Sequence, residues 1–319
     1  MDLNVNNFNE WIHYGFYVFY VIAILEIFAL KKFKPAHFDW REFFITALTV
    51  FISRYIGFIL PFNLAGPIMK YAWQNPIGEI SLNNPINFLL LFLLIEFIFY
   101  WTHRIGHRVR FWWLTHSVHH SPTTYNYATS LLNGLTGKLI GNGILFSSLI
   151  WIGFDGKAVI VILFGIDLYQ TAIHTTWIGK LGFLEKLLMT PSLHRVHHAS
   201  NQQYLDCNFG GSLCIFDRIF RTYIVESSNV QIKYGLVNQQ EFPGFIRLHL
   251  GPFIYFARDL LSSKSFSNAL AIFLSPPSFT ENKSPITIYG PSSAQIISQV
   301  KSNYLVGRSF VLASLKRRI

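Results

Sequence analysis

Cysteine is almost missing from this chain: Cys207 and Cys214 are the two present in 319 residues. Their spacing is too wide for a CxxC metal hook, and two thiols are too few for a disulfide scaffold. Charge is scarce as well, at 13% of residues, with only 16 acidic groups. That is too little to coat an ordinary soluble protein when 51% of residues are apolar and 17% aromatic. Residues 1–9 hold no basic side chain, and the apolar run behind them lacks a small-residue cleavage signature, so that run is expected to stay as an anchor. The charge that is present leans positive, 26 Lys and Arg against 16 Asp and Glu, for a net +10. No basic, aromatic-interleaved soluble module accompanies it, which argues against a nucleic-acid partner and for an anionic membrane surface.

The apolar residues are bunched into runs. Residues 14–30, 43–60 and 86–101 form three of them; two shorter ones, 139–154 and 158–173, are separated around Gly156 and are expected to form a tight hairpin. The first run stops at Lys31, Lys32 and Lys34, as helix ends do on the cytoplasmic side. Counted from that loop, the third run ends on the same side, at His103, Arg104, His107, Arg108 and Arg110. The connector between the second and third runs carries Lys70 as its one positive charge, which suits an external loop. Glu26, Glu96 and Asp167 interrupt the runs and are functional suspects by default, whereas Arg54, also in a run, is expected to face a helix partner or a lipid phosphate. Asp167 precedes His174 by seven residues, about two helical turns, and is expected to share its face. Residues 242–261 mix aromatics with Arg247, His249 and Arg258, which suits a helix in the headgroup plane and a plainly packed one alike. Residues 275–293, rich in Ser and Pro, read as loop.

Eight of the twelve histidines fall in three short boxes. They are His103 and His107 in HRIGH, His116, His119 and His120 in HSVHH, and His194, His197 and His198 in HRVHH. Residues three or four apart share a helical face, so each box can present its rings together. HRIGH alone would also suit a surface helix with cations past a membrane span; the recurrence of HxxHH is much harder to obtain by chance. Isolated His13, His37 and His249 read as structural or interfacial. With His174, at the end of an apolar run, the set reaches nine imidazoles. One catalytic zinc takes about three protein ligands and an open position, so two metals fit the set better. Imidazole suits zinc, copper, iron and nickel alike, but attack on an unactivated carbon–hydrogen bond needs a redox metal. The Glu-x-x-His motif of bundle-type di-iron proteins is missing from the boxes, which leaves a histidine-dominated di-iron site. Asn126 and Thr129 after the second box, and Asp206, Asn208, Gly210, Gly211 and Asp217 after the third, are candidates for orienting ligand rings by hydrogen bonds or for shaping turns. Two rival classes remain in view. A histidine-rich metal transporter or storage protein would place ligands inside the apolar runs. A zinc-dependent membrane hydrolase would need a Glu beside its ligands, as in HExxH, and no box has one.

WTHRIGH and LTHSVHHSPTTYNYAT resemble the first two boxes of the fatty acid hydroxylase and sterol desaturase superfamily, and TPSLHRVHHASNQQYLDCNFGGSLCIFDRIFRTY resembles its third. The resemblance covers residues 88–235; the longer run, with YGLVNQQ, is similar to the alkylglycerol monooxygenase branch and to bacterial proteins named sterol desaturase. It implies a four-helix membrane base under a cytoplasmic cap, two metal ions taken to be iron, and O2 as co-substrate. It also implies a lipid substrate, hydroxylated, desaturated or cleaved at an ether, and electrons from a separate reductase or a pterin. Carried over residue by residue, the ligands are His103, His107, His116, His119, His120, His174, His194, His197 and His198. Three positions depart from the family pattern: Leu132 stands where relatives often carry Arg, Cys207 replaces the usual Lys after Asp206, and Arg221 replaces a common Gly before Thr222. The expectation is an all-α polytopic membrane protein with four to five transmembrane or membrane-embedded helices and a cytoplasmic helical cap carrying a di-metal site. Its expected divisions are 1–87, 88–235 and 236–319. The expected location is a bacterial inner membrane or an endoplasmic reticulum.

Overall fold

The computed structural model describes residues 5–59, 63–141, 143–237, 239 and 241–277. The side chains of His13 and Arg54, and most of the expected Ser- and Pro-rich loop, lie outside the described residues. Among those described there is no strand, only an isolated bridge between Leu188 and Leu213.

Four of the five apolar runs are long helices: α1 (Val5–Phe33), α2 (Trp40–Ile59), α4 (Pro85–Arg108) and α6 (Gly156–Ala172), with the shorter α3 (Ala65–Gln74) between α2 and α4. Local chemistry sets the starts. Asn84 caps α4 by accepting from the Ile86 N–H at 3.0 Å, with Pro85 in the first turn, where its missing donor costs nothing. Asp155 caps α6 in the same way through the Lys157 N–H.

The run at 139–154 does not form the expected arm of a helical hairpin. It breaks into the turns Gly137–Ile140, Ile144–Phe146 and Ser147–Trp151. Gly141 adopts φ 74° and Gly153 φ 117°, left-handed values that end a right-handed helix. A Cβ on Gly153 would also lie 2.5 Å from the Gly78 carbonyl oxygen, because the 76–80 loop is hydrogen-bonded across this segment. The fragment is instead a wedge: Phe146, Leu149, Ile150 and Phe154 pack on Leu91 and Ile95 of α4 and on Val159 and Ile166 of α6.

Among the described residues, α4 is the one helix long and apolar enough to cross a membrane by length and composition. Apolar side chains are nevertheless exposed along α1 (Val21, Leu25, Phe28), α2 (Phe44, Leu48, Phe51) and the start of α4 (Ile86, Leu89). At the far end of α1, Lys34 donates from Nζ to the Thr176 carbonyl at 2.8 Å and stacks over the Trp177 ring. The triple-lysine loop and the exit of α6 therefore lie together, on the side where the histidines gather.

Beyond α4 the chain turns sharply. Val109 alone, extended at φ −119° and ψ 118°, separates α4 from α5 (Arg110–His120). The hinge is tied by the Arg110 N–H to the Ser275 carbonyl and by the Arg110–Asp259 ion pair. It folds the last turns of α4 against α5. A buried helix, α7 (Pro191–His197), carries the third box; α8 (Phe245–Leu261) and α9 (Phe266–Leu274) cover α5 through Leu114, Phe256 and Ile272. α8 packs one face on the protein and leaves the other exposed. Leu248, His249 and Phe256 are buried, with His249 Nε2 3.0 Å from Thr49 Oγ1, while Ile246, Leu250 and Ile254 are exposed.

Glu26 and Glu96, suspects in the apolar runs, act as hydrogen-bond acceptors for distant loops. Glu26 takes the Tyr127 N–H at 2.6 Å, and Glu96 takes the Ser212 N–H at 2.9 Å. Asp167 is exposed, and His174 lies past the end of α6, so the expected shared face is not formed.

Candidate metal centre

Nine histidines converge between the end of α4, α5, the exit of α6 and α7. Ring nitrogens of His103, His107, His116, His120 and His197 lie within 4.8 Å of one another, and those of His119, His174 and His198 form a second such group. His194 packs against the second group, its ring centroid 5.0 Å from His174 and 4.7 Å from His198, and its Nδ1 is buried without a hydrogen-bond partner. The groups touch where the His120 and His198 rings stack at 4.3 Å.

The rings are aimed by the backbone. His103 Nδ1 lies 3.0 Å from the Phe209 carbonyl oxygen, His119 Nδ1 3.1 Å from that of Leu132, and His197 Nδ1 2.8 Å from that of Cys207. A carbonyl only accepts, so each contact fixes the proton on Nδ1 and turns the Nε2 lone pair inward. In the first group, His116 Nε2 lies 3.0 Å from His107 Nε2 and 3.2 Å from both His103 Nε2 and His120 Nε2. With metal–nitrogen bonds of about 2.1 Å, neighbouring ligands of one ion are about 3.0–3.4 Å apart, so this donor set fits an ion. The buried Nε2 atoms of His197 and His198 have no protein partner, as ligand atoms require.

Electrostatics point the same way. Burial pulls His119 down to about 4 and holds His116, His120, His174, His194, His197 and His198 well below the ordinary imidazole range. The rings are therefore neutral near pH 7, the form that binds metal.

The carbonyls that aim the rings come from an unusual stretch of chain. Asp206 and Asn208 adopt φ 58° and 54°, left-handed values that Asp and Asn tolerate better than most side chains. Asp217 accepts from the Phe209 and Gly210 N–H groups at 2.7 and 2.8 Å, and Asn208 donates to the carbonyls of Leu193 and Ile224. Asp206 pairs with Arg108 at 2.7 Å and lies 3.7 Å from His107 Nδ1, beyond hydrogen-bond reach. Asn126 does not meet a histidine ring. Its carbonyl oxygen caps the turn Tyr127–Ser130 and its amide donates to the His37 carbonyl, so its work is to fold the loop after the second box.

The three departures also find a place. Leu132 and Cys207 meet their histidines through main-chain carbonyls, while their buried side chains pack away from the rings, Leu132 on Val118, Phe242 and Leu248 and Cys207 on Val196, Ala199 and Tyr204. Arg221 sits at φ 59°, where glycine is the easier residue.

Several contributors were not singled out in the sequence. Glu42 grips Thr123 and Thr124, and Tyr125 stacks on His174 at 4.1 Å. Glu42 sits in the first turn of α2, where a carboxylate reads as ordinary helix-end chemistry.

A helical scaffold with two contiguous groups of neutral, inward-aimed imidazoles defines a candidate histidine-rich metal centre. Comparison with known proteins agrees: residues 88–222 match the fatty acid hydroxylase family. Alkylglycerol monooxygenase of Xenopus tropicalis is 32% identical over 214 residues, 67% of this chain and 47% of that protein. The Homo sapiens protein of the same name is 36% identical over 169 residues, 53% and 37% of the two chains. That of Danio rerio is 31% identical over 252 residues, 75% and 53%. The chain spans about half the length of the curated relatives it matches. No solved structure matches it. The chain belongs to the fatty acid hydroxylase superfamily.

Proposed function

We propose that this protein is an integral membrane lipid monooxygenase whose nine histidines hold two iron ions. The observation that carries the reading is the packing of eight of the nine predicted ligands into two touching groups, with His194 against the second and ring protons drawn outward to the carbonyls of Leu132, Cys207 and Phe209. The bound irons would supply the redox chemistry that activates O2 and removes hydrogen from a lipid carbon. Hydroxylation balances as lipid C–H plus O2, two electrons and two protons, giving the alcohol and water, with the electrons from an external donor. The chain's own part is to keep the imidazoles neutral and oriented and to shelter the reacting carbon.

Access supports a division of labour. A recess lined by His107, Trp113, His120, Asp206 and Gly235 leads outward from the first group, on the cap side, where an external reductant and protons would arrive. The exposed apolar faces of α1, α2 and α4 suit a bilayer, and the lysines at the end of α1 favour its cytoplasmic surface for the histidines. An ether lipid is the favoured substrate, by likeness to the relatives named alkylglycerol monooxygenase. Oxidation at the carbon next to the ether oxygen gives a hemiacetal, which falls apart to an aldehyde and an alcohol.

The test is untargeted lipid mass spectrometry with metal analysis, comparing cells that express wild type or His119→Ala. Loss of one ether-lipid class and a rise of aldehyde in wild type alone is expected. Equal turnover by the variant, or purified wild type that retains no iron, would overturn the proposal.

A further inference from the structure

We propose that Glu42 and Glu96 are positioning residues, each holding one of the two histidine groups from a different membrane helix. This rests on the two-metal reading above. Both carboxylates are almost fully buried, at 1% and 0% exposure, and neither has a cationic partner among the described ion pairs. Each is satisfied instead by neutral donors from a loop that follows a histidine box.

Glu42 serves the second group. Its Oε1 accepts from the Thr123 N–H and hydroxyl, both at 2.6 Å, and its Oε2 accepts from the Thr124 N–H at 3.1 Å and from the Thr124 hydroxyl. Thr124 lines a small recess with His119, His174 and His198, the three members of that group. The next residue, Tyr125, lies face to face with His174 at 4.1 Å and 20°, and 5.5 Å from His198. A shift of the 123–124 pair therefore moves the ring against which His174 rests.

Glu96 serves the first group. It accepts from the Ser212 N–H at 2.9 Å, from the Ser212 hydroxyl and from the Leu213 N–H at 3.3 Å. Those residues close the tight turn whose other end is Phe209, and the Phe209 carbonyl fixes His103 while its ring packs 5.1 Å from His107. The approach leaves no spare room: a Cβ on Gly211 would lie 2.9 Å from Glu96 Oε2.

Glutamine is the informative replacement. It keeps the size but turns an NH2 toward N–H and O–H donors that need an acceptor, so one side of each clamp must open. Hydrogen-bond partners of metal ligands are worth about 10–100-fold in metal affinity. Full-length protein in detergent would be loaded with cobalt(II), whose visible absorption reports coordination, and the ions per chain counted. Glu42 acts one step further out than such a hydrogen-bond partner, so Glu42→Gln is expected to weaken one site up to about 10-fold and leave the other. Glu96→Gln is expected to weaken the opposite site, so that the two variants give complementary cobalt spectra. Thr123→Val and Ser212→Ala, which remove one hydroxyl each, should show the same pattern more weakly and cover the case in which a glutamine variant fails to fold. Equal loss at both sites in either variant, or unchanged binding in both, would overturn the assignment while the two-metal reading stood. A wild type that binds no cobalt and no iron would overturn that reading and this inference with it.

Discussion

HRIGH on α4 and the two HxxHH boxes on α5 and α7 use their histidines differently. The two histidines of HRIGH are four residues apart, share a face, and both enter the five-membered group. HSVHH and HRVHH each end in an adjacent pair, and both pairs split: His120 and His197 go to the first group, His119 and His198 to the second. Neighbouring residues on a helix point about 100° apart, so an adjacent pair cannot serve one small centre from one side. A doublet placed between two centres can serve both. The spacing inside a box thus determines how many centres it reaches, and two doublets facing each other build a pair of centres that share walls.

Breaking the doublets should have the largest effect. His119→Ala and His120→Ala should each abolish lipid oxidation, yet differ in which site loses metal, as read by metal analysis of the purified variants. Loss of the same site in both would refute the partition. Next comes acid sensitivity of chelator-stripped protein. The cluster imidazoles titrate below about 6.5 in the fold and near it when unfolded, so the unfolded chain binds more protons between those values. Stability is then full above about pH 6.5 and lost as pH falls toward 4, by up to about 1.4 kcal/mol per pH unit for each such histidine. Thermal unfolding at pH 7.5 and 5 would show it, and a flat profile would contradict neutral burial. Asn208→Ala should be smaller and confined to HRVHH, because Asn208 ties α7 to the 222–224 segment; about 1–3 kcal/mol is expected in denaturant unfolding. Asn126→Ala should cost about 1–2 kcal/mol in denaturant unfolding, for a lost helix cap and the amide bonds to the His37 carbonyl and the Thr124 hydroxyl.

Much of the centre was legible because its residues are chemically loud. Histidine is rare and its boxes are compact, so all nine converging residues were named from spacing and resemblance. The long helices were legible for a similar reason: sustained apolar runs with capped starts leave little choice. The run at 139–154 was misread because hydropathy does not register Gly141 and Gly153, whose left-handed conformations break it. Asn126 reads as orienting a ring or shaping a turn, and spacing alone cannot choose between them; it caps a turn. The aiming groups at Leu132, Cys207 and Phe209 could not be read at all, since every residue carries the same carbonyl and only tertiary structure shows which one meets a ring. Glu42 stayed hidden because its partners are 81 and 82 residues away.

The splitting of adjacent histidines has a consequence for how this chain can change length. One residue added between His116 and His119 would rotate the doublet by about 100° and deliver each imidazole to the wrong neighbour. An addition near Asn229, on an exposed turn, would meet no such penalty. Insertions and deletions should therefore be tolerated on such remote exposed turns and never within the boxes, which makes the ruler of each box, rather than any single side chain, the least editable part of the protein.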